Sequence, residues 1–255
     1  MDTHCHLDLP PFDADRSSIL RQAAAAGVEA VIVPAIAADG LHNILRLAQD
    51  YPIVSAGAGL HPLFMDWHHP DDWSLVQQQV ENGSVVAIGE CGLDFSKAST
   101  DKPAQRKLFE QHVELAQSSG LPLIIHAHRA VEDVLQCVQR YPGVNGVVHS
   151  FNGSEQQAKS FIDIGFKLGF GGAITYPRAT RLRQMITNLP LDALLLETDA
   201  PYQTGFAHKG QVNQPAWISE VCEVVAKLQD LPQQLIAEKT TANAVDLFKI
   251  ALVKR

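Results

Sequence analysis

The chain has 255 residues, 46% of them hydrophobic and 19% charged, with a formal net charge of -8. This is the composition of an ordinary globular protein, and a core of this size needs no disulfide support. No apolar run reaches the roughly 18 residues of a membrane-spanning helix, and a protein that held nucleic acid mainly by neutralising phosphates would be basic. Any nucleic-acid contact is therefore expected to be local and transient, with no membrane association.

In chain order, the opening segment Asp2–His6 reads as a strand, and its start on His-x-His predicts no leader peptide. Further β-rich runs are expected at Val28–Pro34, Ile53–Ala56, Val85–Ile88, Leu121–Ile125, Val144–Val148, Lys167–Gly169 and Ala193–Leu196. Between them, Ser17–Ala26 is alanine-rich and stops at Gly27, a plausible cap. Leu41–Asp50 follows Gly40. Gln105–Ser119 spaces Leu108, Val113 and Leu115 for one helix face and ends at Gly120. Ala130–Tyr141 stops before Pro142, and Ser154–Ile164 opens on Ser154. From about Pro215 onward the pattern is helical, including Pro232–Ala237 and Ala242–Phe248, and is expected to pack outside the sheet.

Alternating apolar strands and helices argue for a parallel sheet covered by helices. Eight such units at this length favour a single-domain TIM (β/α)8 barrel over residues 1–255. An open doubly wound sheet is the alternative, weakened by the lack of a Gly-x-Gly-x-x-Gly fingerprint after any strand. The four cysteines, Cys5, Cys91, Cys137 and Cys222, form no Cys-x-x-Cys pair. They read as small buried hydrophobes in a reducing cytoplasm.

The chemistry lies at the strand ends. His4 and His6 are two residues apart, so a strand turns both imidazoles to one face. Glu90, His126, His149 and Asp199 follow at or just beyond later strands, where barrel enzymes gather their active sites at the C-terminal rim. A lone strand-end histidine is more often a hydrogen-bonded structural residue, but the joint set of His4, His6, Glu90, His126, His149 and Asp199 reads as a metal site. Imidazole and carboxylate suit Zn, Mn or Mg to different degrees. Glu90 is the best candidate to bridge two divalent cations, which together can bind a phosphate, activate a water and stabilise a leaving oxygen. Asp199 suits the orientation or deprotonation of that water, so Glu90 and Asp199 are the expected catalytic pair. Glu197 could orient a ligand, and Asp8 could either cap a loop or join the site. Arg129 could reach the rim as a substrate contact. Arg178, Arg181 and Arg183 form a basic cluster that is either phosphate-binding or a solvated helix start. Trp67, Trp73 and Trp217 could be core or rim, and the sequence shows no basic stripe interleaved with aromatics.

Five motifs carry a family resemblance: Asp-Thr-His-Cys-His-Leu-Asp at Asp2–Asp8, Gly-Glu-Cys-Gly-Leu-Asp at Gly89–Asp94, Ile-His-Ala-His-Arg-Ala at Ile125–Ala130, His-Ser-Phe-Asn-Gly at His149–Gly153 and Glu-Thr-Asp-Ala-Pro-Tyr at Glu197–Tyr202. Together with Gly59-Leu60-His61-Pro62, they resemble the TatD family of metal-dependent deoxyribonucleases from end to end. The resemblance implies a TIM barrel of the metallo-dependent hydrolase superfamily. It also implies one metal on His4, His6, Glu90 and Asp199, a second on Glu90, His126 and His149, and His61 near the substrate phosphate. The chain departs from the family pattern at Leu63, where a second histidine is usual. It departs again at Lys209–Pro215, which reads Lys-Gly-Gln-Val-Asn-Gln-Pro where Arg-Gly-Lys-Arg-Asn-Glu-Pro is common. The expected activity is phosphodiester cleavage from DNA ends, of 3′–5′ exonuclease type, by a water activated between two divalent ions. The alternatives are an amidohydrolase-like enzyme for a small C–N or ester substrate, or a metal-containing binding protein without turnover. Many amidohydrolases bridge their metals with a modified lysine where Glu90 stands, which favours the nuclease reading. The partner expected is DNA or another phosphodiester, with no obligate protein partner and a monomeric chain.

Overall fold

The computed structural model describes residues 1–98 and 100–252. Among them, seven parallel strands form one sheet in chain order: β1 (Val31–Pro34), β2 (Val54–Ala58), β3 (Ala87–Asp94), β4 (Leu123–His128), β5 (Gly146–Val148), β6 (Lys167–Phe170) and β7 (Leu194–Leu196). Every residue of β1, β3, β5 and β7 is buried. Parallel strands covered on both faces have this unbroken apolar reading.

The expected opening strand is not a regular strand but two isolated bridges, Asp2 with Val31 and Cys5 with Ala200. Backbone bonds run from Cys5 N–H to the Ile32 carbonyl (3.0 Å) and from Thr3 N–H to that of Leu196 (3.0 Å). Residues 2–6 thus span the gap between β1 and the end of β7, curling the sheet toward a TIM-barrel-like form. The ladder is broken because the Asp2 carboxylate competes for its donors. It accepts from His4 N–H (3.3 Å), Thr198 N–H (3.0 Å) and the Thr198 hydroxyl (2.6 Å).

Four strands run further than expected, β2 and β6 by one or two residues and β3 and β4 by more, and these last two carry the site. β3 continues through Glu90 to Asp94 and β4 through His126 to His128. Two glycines, Gly89 and Gly92, are what this extension of β3 requires. A Cβ at Gly89 would lie 2.5 Å from the Ile124 carbonyl oxygen, and Gly92 has a φ of 127° against the backbone of His126. No β-carbon fits so close a backbone approach.

Of the helices that cover the sheet, the one over Lys102–Ser119 starts a turn earlier than expected because Asp101 accepts from Ala104 N–H (3.0 Å). Its end at Gly120, with φ 74°, is as the sequence indicates. Ser154 and Gln157 form a reciprocal capping box at the start of the helix Glu155–Asp163. Two helices, Asp72–Glu81 and Thr180–Asn188, are short and largely polar and gave no distinct sequence pattern.

The final helix, Gln233–Phe248, lies outside the strands and over one end of them. Its Ala244, Leu247 and Phe248 cluster with Ile32, Ala87, Ile124, Val147 and Leu195, near the N-terminal ends of five strands. It covers the end of the sheet opposite the ligands because those strand side chains need an apolar lid. Phe248→Ala is expected to cost about 3–5 kcal/mol in denaturant unfolding. A loss under about 1 kcal/mol would remove this role. No described helix is long and apolar enough to cross a membrane.

Candidate active site

The strand ends bring all six expected ligands together around one carboxylate. Glu90 Oε2 lies 3.1 Å from His4 Nε2 and 3.4 Å from His6 Nε2. The same two nitrogens lie 3.2 Å apart, and each is 3.5 Å from Asp199 Oδ1. Glu90 Oε1 faces the other way, 3.2 Å from His126 Nδ1 and 3.1 Å from His149 Nε2, which are 3.3 Å from each other. One carboxylate therefore offers one oxygen to each of two donor groups.

These spacings fit a divalent cation. Four ligands about 2.0–2.1 Å from a tetrahedral ion stand about 3.3 Å apart, so edges of 3.1–3.5 Å need little adjustment. Two histidine Nε2 atoms at 3.2 Å, both turned to the same two carboxylate oxygens, also converge as ligands do. The second group supplies three such atoms and leaves a side open.

The surrounding residues fix which ring nitrogen faces the centre. Asp94 Oδ2 accepts a hydrogen bond from His126 Nε2–H (2.9 Å), so His126 presents Nδ1. His61 is the reverse case. Its Nδ1 accepts from Leu63 N–H (3.0 Å), so the proton is on Nε2 and is donated to Glu90 Oε1 (2.9 Å). His61 thus holds the carboxylate and offers no free lone pair to an ion. Glu197 Oε1 accepts from Ser150 N–H (2.5 Å) and lies 3.5 Å from His149 Nδ1.

Asp199 sits in a left-handed backbone conformation, φ 55°, with its N–H bonded to the His4 carbonyl (2.8 Å). Its Oδ2 accepts from Gln203 Nε2 (2.6 Å), which leaves Oδ1 facing His4 and His6. Asn213 secures this loop by donating to the carbonyls of Thr198 (2.8 Å) and Tyr202 (2.7 Å). Within the atypical Lys209–Pro215 segment, the buried Asn213 matches the common pattern, while the altered Gln211 and Val212 are exposed.

The fields here are strong. Burial alone would raise the Glu90 pKa, but His61, His4 and His149 outweigh it and hold the carboxyl well below the usual range. Burial likewise opposes ionisation of Asp199, yet the hydrogen bond from His6 and the nearby His4 and His149 bring it to about 2. His6 moves to about 9 despite burial, through Asp199 and Glu90.

The site opens into a cavity of about 1060 Å³. Arg129 lines it from the end of β4, exposed and with φ 55°. Of the expected cluster of arginines, Arg181 lines the same cavity, but each of the three is engaged within the protein. Arg181 donates to the carbonyls of Gly153 and Asn152, and Arg183 to that of Ile174. Arg178 lies 5.4 Å over the Tyr176 ring. Asp94 and Gln203 are contributions that sequence reading missed. For Asp94 the signal was its four-residue spacing from Glu90, which repeats the strand face; for Gln203 no local pattern marks the contact.

The family model for TatD related DNase matches residues 1–249. The chain is 40% identical over 253 residues to the Escherichia coli K12 protein named uncharacterized metal-dependent hydrolase YjjV, covering 98% of each. It is 32% identical over 251 residues to the Bacillus subtilis uncharacterized metal-dependent hydrolase YabD, again covering 98% of each. The crystal structure of the E. coli TatD homolog YjjV superposes with a TM-score of 0.94 at 39% identity, over 98% of both chains. The chain belongs to the TatD-related DNase family.

Proposed function

We propose that this TatD-family metal-dependent hydrolase cleaves phosphodiester bonds at DNA ends, and that its two donor groups, which share Glu90, would each hold a divalent cation. The observation that carries this reading is the division of Glu90 between two donor groups, one per oxygen. His4, His6, Glu90 and Asp199 would hold one cation, and Glu90, His126 and His149 the other. Zn, Mn and Mg are all compatible with nitrogen and oxygen ligands of these kinds. Bound there, the cations would supply Lewis-acid polarisation of the phosphoryl group and make a water easier to deprotonate.

The residues then divide the remaining work. Asp199 stays anionic at neutral pH and would orient the attacking water or take its proton, with its carboxylate held in place by Gln203. Asp94 keeps His126 in one tautomer and orientation. His61 steadies Glu90, and Arg129 offers positive charge to the substrate phosphate from the cavity wall. An acidic protein with few free cations in its cavity suits a substrate held chiefly at the reacting phosphate.

Asp94→Ala tests the support around the centre. It is expected to weaken Mn or Zn binding by about 10- to 100-fold, read by competition with a chromophoric chelator. Unchanged affinity would show that His126 needs no such partner. The activity itself is tested on a generic phosphodiester with added Mn. Turnover that chelation abolishes supports the proposal, while turnover confined to amides or carboxylic esters contradicts it.

A further inference from the structure

Trp67 is 56% exposed, and it does not stand alone. It stacks on Phe64 with ring centroids 4.3 Å apart and planes 24° from parallel. Phe64 in turn lies 5.2 Å from the His61 ring and lines the same cavity as Glu90. A line of rings therefore runs from the Glu90 centre through His61 and Phe64 to the open face of Trp67.

The segment carrying these rings, Pro62–Trp67, is fastened at both ends. At its start the His61 ring caps Leu63 N–H, and Gln105 donates to the Pro62 carbonyl (2.7 Å). Gln105 also accepts from Asp94 N–H (2.9 Å), which ties the segment to the strand bearing Glu90. At its far end His68 Nε2 bonds the His61 carbonyl (2.9 Å). The helix that Gln105 belongs to, Lys102–Ser119, opens on exposed Lys102, whose ammonium lies 4.6 Å over the Phe95 ring.

Resting on the phosphodiesterase reading above, we infer that Phe64 and Trp67 form a stacking platform for an unpaired nucleobase of a single-stranded substrate whose phosphate lies at Glu90. A fixed aromatic pair beside a phosphate site matches what an unpaired base needs, because any base offers a π-face to stack. Bases in a duplex are already stacked and paired, so the platform favours single strands and frayed ends. It favours them without sequence preference, since no base edge is read. It also accounts for how an acidic chain could hold a polyanion, by adding stacking to contacts at the reacting phosphate.

The test compares an end-labelled oligothymidylate with the same strand ending in an abasic residue, using Mn. The wild type is expected to prefer the base-bearing end by about 10-fold in kcat/KM. Trp67→Ala should collapse that preference toward unity through KM, and Trp67→Phe should keep most of it. A preference that Trp67→Ala leaves at the wild-type level would overturn the inference while leaving the phosphodiesterase reading intact. If the wild type cleaves no phosphodiester, that reading fails and a binding measurement decides the platform alone. Trp73 packs against His112 and Trp217 against His208, so Trp67 is the exposed indole of the three. Saturable quenching of tryptophan emission by a phosphorothioate-linked tetrathymidylate, absent in Trp67→Phe, would support the platform. No quenching would end it.

Discussion

Asp199→Asn is expected to lower kcat by about 10³-fold while leaving the fold intact. The substitution keeps the shape of the side chain and removes its charge and its capacity to take a proton. Asparagine also tolerates the left-handed backbone that Asp199 adopts better than most residues. Its side-chain oxygen can still accept the Gln203 hydrogen bond. Stability should therefore change little, which thermal unfolding of the variant would check. Because Asp199 also stands among the donors at His4 and His6, metal content should be measured on the same sample. A rate above a tenth of wild type with both ions retained would remove Asp199 from the proton-transfer role.

The second large effect concerns Glu90. Replacing it with alanine removes both oxygens at once, one from each donor group, so both cations should be lost rather than one. Metal content after dialysis is expected to fall from about two ions per chain to well below one. Loss of a single ion would show that the two donor groups do not depend on a shared carboxylate. Glu90 is 2% exposed and is the counter-charge for several buried histidines, so the alanine variant could lose stability as well. Glu90→Gln, which preserves volume, separates the two effects. It should remain folded by circular dichroism and still bind metal poorly.

Much of this centre is legible in the sequence because its residue types are costly to place at apolar strand ends without a purpose. His4, His6, Glu90, His126, His149 and Asp199 stand out against runs such as Leu-Pro-Leu-Ile-Ile and Val-Asn-Gly-Val-Val. The order of strands and helices is legible for the same reason, since burial on both faces leaves few polar residues to confuse the pattern. What escapes is whatever depends on contact across the chain. β3 extends through Gly89 and Gly92 beyond the expected end at Ile88, and the close packing of its neighbours is what demands those glycines. The opening strand was expected to be regular, and only the folded chain shows Asp2 diverting the amides of His4 and Thr198. The Arg181 and Arg183 side chains could have met phosphate; the fold commits them to loop carbonyls. Conversely, Trp67 read as core or rim, and its stacking on Phe64 beside the centre emerges only from the turn at Pro62–Trp67.

The most direct test of the account is nucleotide release from end-labelled single-stranded DNA by the purified protein with Mg or Mn, with a chelated control beside it. The account predicts stepwise release of mononucleotides that requires the metal and stops on chelation. Metal-loaded protein that releases no nucleotide from any DNA end would contradict it.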